Sequence, residues 1–190
     1  MGIRNVDKKV VRRIDNIINS NFPILIGDAK GVDTSVQNLV NSKGYRNVTI
    51  YCSGKYARNN IGKWEVKKIM TAYKNNTRLF FTAKDIQMAK SCDYGLMIWD
   101  SKSTGTLNNV YELLRQEKKS LVFVNKLKSF IKLADFERLT SVMNPSDFEK
   151  ADRKIQLRKK MQGLKYKQTD MFETNQIPQR IQGTPLRSAL

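Results

Sequence analysis

Ile24-Leu25-Ile26-Gly27-Asp28-Ala29-Lys30-Gly31-Val32-Asp33 decides how the chain is read. The apolar run between Pro23 and Gly27 has the length and composition of a buried strand. Gly27 and Gly31 punctuate a tight turn in which a partner can approach the backbone closely. Asp33 and Thr34 offer an N-cap for the helical pattern of Val36, Leu39 and Val40. Strand, glycine-bearing loop and helix N-terminus in that order can receive phosphate or another anion. The same order serves as a plain turn in many α/β folds, so the rest of the chain must decide.

On the N-terminal side, Val6, Val10, Val11, Ile14, Ile17 and Ile18 recur at helical spacing and predict an amphipathic helix over 6–20. On the C-terminal side, Val48–Cys52 reads as a second strand, followed by the polar loop 53–60. Trp64, Ile69 and Met70 mark a helix, Arg78–Phe81 an extended segment, and Ala83–Cys92 a helix with Asp85 near its positive end. Leu96–Trp99 is a strand that stops at Asp100. The loop Ser101-Lys102-Ser103-Thr104-Gly105-Thr106 then leads into a helix over 106–117, with Leu107, Val110, Leu113 and Leu114 on one face. Ser120–Asn125 is the last clear strand, and 126–149 reads as helical, broken at Asn144-Pro145, with Ser146 and Glu149 as a capping box. Strands alternating with helices predict a Rossmann-like α/β domain: three layers, a parallel sheet with helices on both faces.

Composition sets limits on function. The chain has 190 residues, 35 Lys and Arg against 17 Asp and Glu, and a formal charge of +18. That balance favours polyanionic partners, nucleotides or nucleic acid, although a basic solvated surface produces it too. The absence of histidine and the presence of only two cysteines, Cys52 and Cys92, argue against a Cys/His metal site and any histidine-dependent triad. They point to a reducing, cytoplasmic setting. No apolar run approaches the roughly 18 residues of a membrane span. The sequence divides into a domain over 1–149 and an extension over 150–190. Lys150–Lys167 carries eight basic residues, Lys154, Arg158, Lys159, Lys160 and Lys165 among them, against the single acid Asp152. Residues 168–190 are poor in apolar side chains and are expected to be disordered.

Parallel topology would bring the loops after Gly27, Cys52 and Trp99 to one edge of the sheet. There the amides of Gly27–Gly31 and Ser103–Thr106, with the hydroxyls of Thr104 and Thr106, suit a phosphate, and Arg58 and Lys102 supply charge. Asp28 belongs to the same loop. Asp33, Asn59 and Asp100 can orient a sugar or base, though Asp33 also fits a simple N-cap and Asp100 a turn. No metal and no further cofactor is called for.

Three motifs together carry a family resemblance. Gly27-Asp28-Ala29-Lys30-Gly31-Val32-Asp33, then Arg58-Asn59-Asn60, then Asp93 to Thr106 with its Trp99-Asp100-Ser101-Lys102-Ser103-Thr104-Gly105-Thr106 resemble the SLOG superfamily, above all its cpYpsA-related branch. The match spans about residues 5–125. It implies a Rossmann-like fold that binds or processes nucleotides and nucleotide-derived ligands, and members often dimerise. Relatives include the cytokinin-activating phosphoribohydrolases and the DNA-processing protein that loads recombinase on single strands. Three departures stand out. The family opens with a strand ending in Gly-Ser-Arg, where this chain has Met1-Gly2-Ile3-Arg4, so one strand is missing or degenerate. The phosphoribohydrolases have acids just after Gly-Thr, where Asn108 and Asn109 stand, leaving Glu112 as the nearest carboxylate for N-glycosidic chemistry. Asp28 replaces one of a glycine pair, and Ser101 a glycine after Asp100.

Two functions follow as expectations: a nucleotide-ligand pocket, as sensor or N-glycosidase-type hydrolase, or a nucleic-acid-binding protein using the basic extension. Gln168-Thr169-Asp170-Met171-Phe172 also resembles the short peptide by which bacterial proteins dock on the replicative sliding clamp.

Overall fold

A computed structural model describes residues 5–132 and 188–189 of the chain. Four helices and seven strands occur among them: α1 (Lys8–Asn19), β1 (Ile24–Gly27), α2 (Val32–Ser42), β2 (Val48–Ser53), β3 (Glu65–Ile69), α3 (Arg78–Ser91), β4 (Tyr94–Trp99), α4 (Thr104–Arg115), β5 (Lys119–Val124), β6 (Ser129–Lys132) and β7 (Ser188–Ala189). They form one sheet in the order β3-β2-β1-β7-β4-β5-β6. Every neighbouring pair is parallel except β5 with β6. Order runs outward from β1 through β2 to β3 and outward the other way from β4 to β5, so the direction of winding switches between β1 and β4.

Alternation along the strands builds two cores. Ile24, Ile26, Ile50, Leu96, Ile98 and Phe123 join Val10 and Ile14 of α1 and Val36 and Val40 of α2 on one face. Leu25, Tyr51, Met97, Trp99, Val122 and Val124 join Met88 of α3 and Leu107, Val110 and Leu113 of α4 on the other. The predicted three-layer α/β arrangement is thus present. No described helix is long and apolar enough to cross a membrane.

Several elements differ from the sequence reading. Trp64 to Ile69 is not helical: Glu65–Ile69 is the edge strand β3, largely exposed, and edge strands tolerate the charges of Lys67 and Lys68. Arg78–Phe81 is not extended but forms the first turn of α3, capped by the Thr77 side chain accepting from the Phe80 amide. Asp85 therefore sits inside the helix and not at its positive end. Ser129–Lys132 turns back antiparallel on β5 where a helix was expected. Helix α2 starts at Val32, at least two residues earlier than predicted, with Gly31 as its cap, and Asp33 does not cap it. Ser188–Ala189 lies in the sheet centre, within the stretch expected to be disordered. The capping box at Ser146, the basic run 150–167 and the peptide Gln168–Phe172 lie outside the described residues.

Candidate functional site

The two glycine corners meet. The β1–α2 corner and the β4–α4 corner share a cavity of about 320 Å³ at the carboxyl ends of β1 and β4, where the winding switches. Lys30, Gly31 and Asp33 line it from the first corner, and Asp100, Ser103, Gly105, Thr106 and Asn109 from the second. Leu96–Ile98 of β4 and Lys84, Asp85 and Met88 of α3 complete the wall. Gly31 has φ +99°, a conformation that favours glycine, and an added Cβ at Gly31 or Gly105 would meet nothing within 4 Å. Both corners are open to a guest.

Lys84 is the organising residue, and the sequence reading missed it. Its ammonium is 4% exposed, 2.6 Å from Asp85 Oδ1 and 3.9 Å from both Asp28 Oδ1 and Asp33 Oδ2. Burial works against the ammonium, but Asp85, Asp33 and Asp28 outweigh it and hold its pKa above the ordinary value. The signal lay in the spacing. Phe80, Lys84 and Met88 are all buried at four-residue intervals on α3, so Lys84 is a charge in a buried helical stripe. Placing the helix start at Ala83 concealed the Phe80 turn.

Around Lys84 the predicted residues take distinct roles. Asp28 is buried and does not face the cavity. It accepts from the Arg58 amide at 3.0 Å and from the guanidinium at 3.1 and 2.7 Å. Burial would raise its carboxyl, but the Arg58 bonds and Lys84 hold it below the usual carboxylate range. Arg58 also lies 4.2 Å over the Phe81 ring, and Asn59 donates to the Asp28 carbonyl. The two residues thus clamp the β2–β3 loop onto the end of β1 and do not line the cavity. Gln37, fully buried, adds a second clamp by donating to Gly27 O and accepting from the Ile61 amide.

Asp33 faces the cavity and accepts from the Ala29 amide at 2.9 Å. Burial raises its carboxyl despite the pull of Lys84 and that amide. Asp100, also on the cavity, accepts from the amides of Lys102 and Ser103. Burial opposes its charge, but the Ser103 and Lys102 amides prevail and lower its pKa. Two carboxyls shifted in opposite directions therefore face one space. Ser103 and Thr106 share a hydroxyl hydrogen bond of 2.9 Å on the rim. Thr104 is held by Arg78, Lys102 is exposed, and neither lines the cavity. Glu112 does not reach it either, since its carboxylate accepts from Arg115 and Gln116. Ser101 has φ +67°, a conformation that favours glycine.

Gly27 is closed to a guest from within. A Cβ there would fall 2.3 Å from Asp33 Oδ2 and 2.7 Å from Lys84 Nζ. Gly27→Ala must displace part of this ion cluster, and denaturant unfolding is expected to show a loss of about 1–3 kcal/mol. Gly105→Ala, with free space around it in a helix, should change stability by less than about 1 kcal/mol, in the stabilising direction. Equal effects at the two glycines would contradict this account.

A larger, mostly apolar recess of about 910 Å³ opens at the opposite edge, where β4 and β5 begin. Ile17, Phe22, Tyr94, Leu114 and Leu121 line it; of the three motifs only the stretch Tyr94–Leu96 at the start of β4 reaches it, and neither glycine corner does. The chain matches no protein-family model, no curated protein and no solved structure.

Proposed function

We propose that this chain binds a nucleotide or nucleotide-derived ligand in the cavity between the β1–α2 and β4–α4 corners. The observation that carries the reading is the convergence of two open glycine corners on one cavity at the switch in strand order. A phosphate would lie against the first-turn amides of α2 beside Gly31 and against Gly105 and Thr106, with Lys30 at the rim. Asp33, Asp85 and Asp100 would accept from sugar hydroxyls or a base amino group. The resemblance of the three motifs to the SLOG superfamily supports the same ligand class. Arg58, Asn59 and Asp28 enter this reading as the support of the loop and not as direct contacts.

Mass spectrometry of small molecules retained on the purified protein tests it, followed by calorimetric titration with whichever nucleotide is found. Recovery of a nucleotide at near-stoichiometric amount is expected; an empty protein that binds no nucleotide at millimolar concentration overturns the reading. A hydrolase would return free base and a sensor the intact ligand. Hydrolysis would have to use the cavity carboxyls, because Glu112 is engaged elsewhere.

The charge of +18 favours a second reading, in which the protein binds nucleic acid. Salt separates the two. Between about 50 and 200 mM salt, binding through six or more phosphates falls roughly 10³-fold or more. A single ligand in the cavity should lose less than about tenfold over the same range.

A further inference from the structure

The centre of the sheet is closed by two residues from the far end of the chain. β1 pairs on its outer side with β2, and β4 on its outer side with β5. Their inner edges face each other across β7, with Ser188 level with Ile24 and Tyr94, and Ala189 level with Leu25 and Gly95. Ile24, Leu25, Ile26, Leu96 and Ile98 on these strands are all buried. Backbone groups at such a depth need partners, because water cannot serve them. Among the described residues β7 alone provides a ladder between the half β3-β2-β1 and the half β4-β5-β6.

We propose that the gap between β1 and β4 is a strand-acceptor site that captures the Ser188–Ala189 segment of the same molecule in parallel register. Recognition is by main-chain hydrogen bonding on both sides, the chemistry of strand addition, here applied at the middle of a sheet instead of at its edge. The ends of the gap fit this use. On the side of the strand carboxyl ends, β1 continues through Ile26 and Gly27 and β4 through Leu96–Trp99 beyond the two rows that β7 pairs. Leu96, Met97 and Ile98 are wall residues of the candidate cavity, so filling the gap sets the boundary beneath that cavity. Capture is a property of the backbone edges and does not rest on the nucleotide reading.

The test uses the full chain with Ser188→Pro and Ala189→Pro together, which removes both backbone donors of β7. Hydrogen exchange followed by mass spectrometry should show peptides covering 24–27 and 94–99 exchanging at least tenfold faster in the variant. A labelled peptide of residues 182–190, followed by fluorescence anisotropy, should then bind the variant saturably and restore protection. The unmodified chain, its gap already filled, should bind the peptide at least tenfold more weakly. Should the variant loosen as a whole, restoration of protection by the peptide remains the deciding measurement. Unchanged exchange, absent restoration, or equal peptide binding by both proteins overturns the proposal. A concentration-dependent dimer whose dissociation exposes the β1 and β4 amides overturns the assignment to the same molecule.

Discussion

Lys84→Met should cost about 3–5 kcal/mol in denaturant unfolding near neutral pH, the range for removing one partner of a buried charge cluster. Asp28, Asp33 and Asp85 all lie within 4 Å of the ammonium, and Arg58 neutralises only Asp28. Methionine fills the volume of the stem but leaves Asp33 and Asp85 without an ion-pair partner among the described residues. The loss should depend on pH. The Asp33 carboxyl titrates above its ordinary value in the folded protein, so the folded state holds that proton more tightly than the unfolded chain. Its contribution to stability therefore falls as pH rises through the folded pKa. Asp28 acts oppositely: its lowered pKa gives stability above the ordinary carboxyl range that is lost as pH falls. Without Lys84 both carboxyls titrate higher, so the variant's deficit should shrink as pH falls from neutral into the range where these carboxyls take up protons. A loss under about 1 kcal/mol, or one that is flat over that range, would show that Lys84 does not hold the cluster together.

Lys84 also marks where sequence reasoning stops. Near-continuous apolar runs made β1, β2, β4 and β5 legible, because each strand feeds two cores and shows apolar residues at nearly every position. The two glycine corners were legible for a related reason: glycine at Gly31 and Gly105 leaves open space that no side chain would leave. β3 was hidden because an edge strand needs only one partner and bears its lysines in solvent. The start of α3 was hidden because the apolar cluster Leu79-Phe80-Phe81 resembles a strand and the cap at Thr77 is local. With that turn misread, Lys84 fell off its stripe. Arg58 and Asn59 were legible as belonging near the site but not in their role, since the sequence does not show that Asp28 is buried beneath them. Ser188–Ala189 was beyond reach, because nothing local distinguishes two small residues destined for the centre of a sheet.

Gly105→Trp should reduce affinity for the cavity ligand by about a hundredfold or more, roughly 2.7 kcal/mol. The position is favourable for a clean result. Gly105 is the second residue of α4, carries no positive φ and is exposed, and an added Cβ meets no atom within 4 Å. The apo protein should therefore keep its stability within about 1 kcal/mol. The obvious alternative, Gly31→Trp, forces a bulky residue into φ +99° and would confuse strain with obstruction. An indole at Gly105 takes space from a cavity of only about 320 Å³ and stands over the Thr106 side of the proposed phosphate position. Titration of the nucleotide recovered from the native protein, with unfolding measured in parallel, separates obstruction from misfolding. Loss of binding with stability intact places the α4 corner in the site. Full affinity in a folded variant removes that corner from it, and with it the convergence on which the nucleotide reading depends.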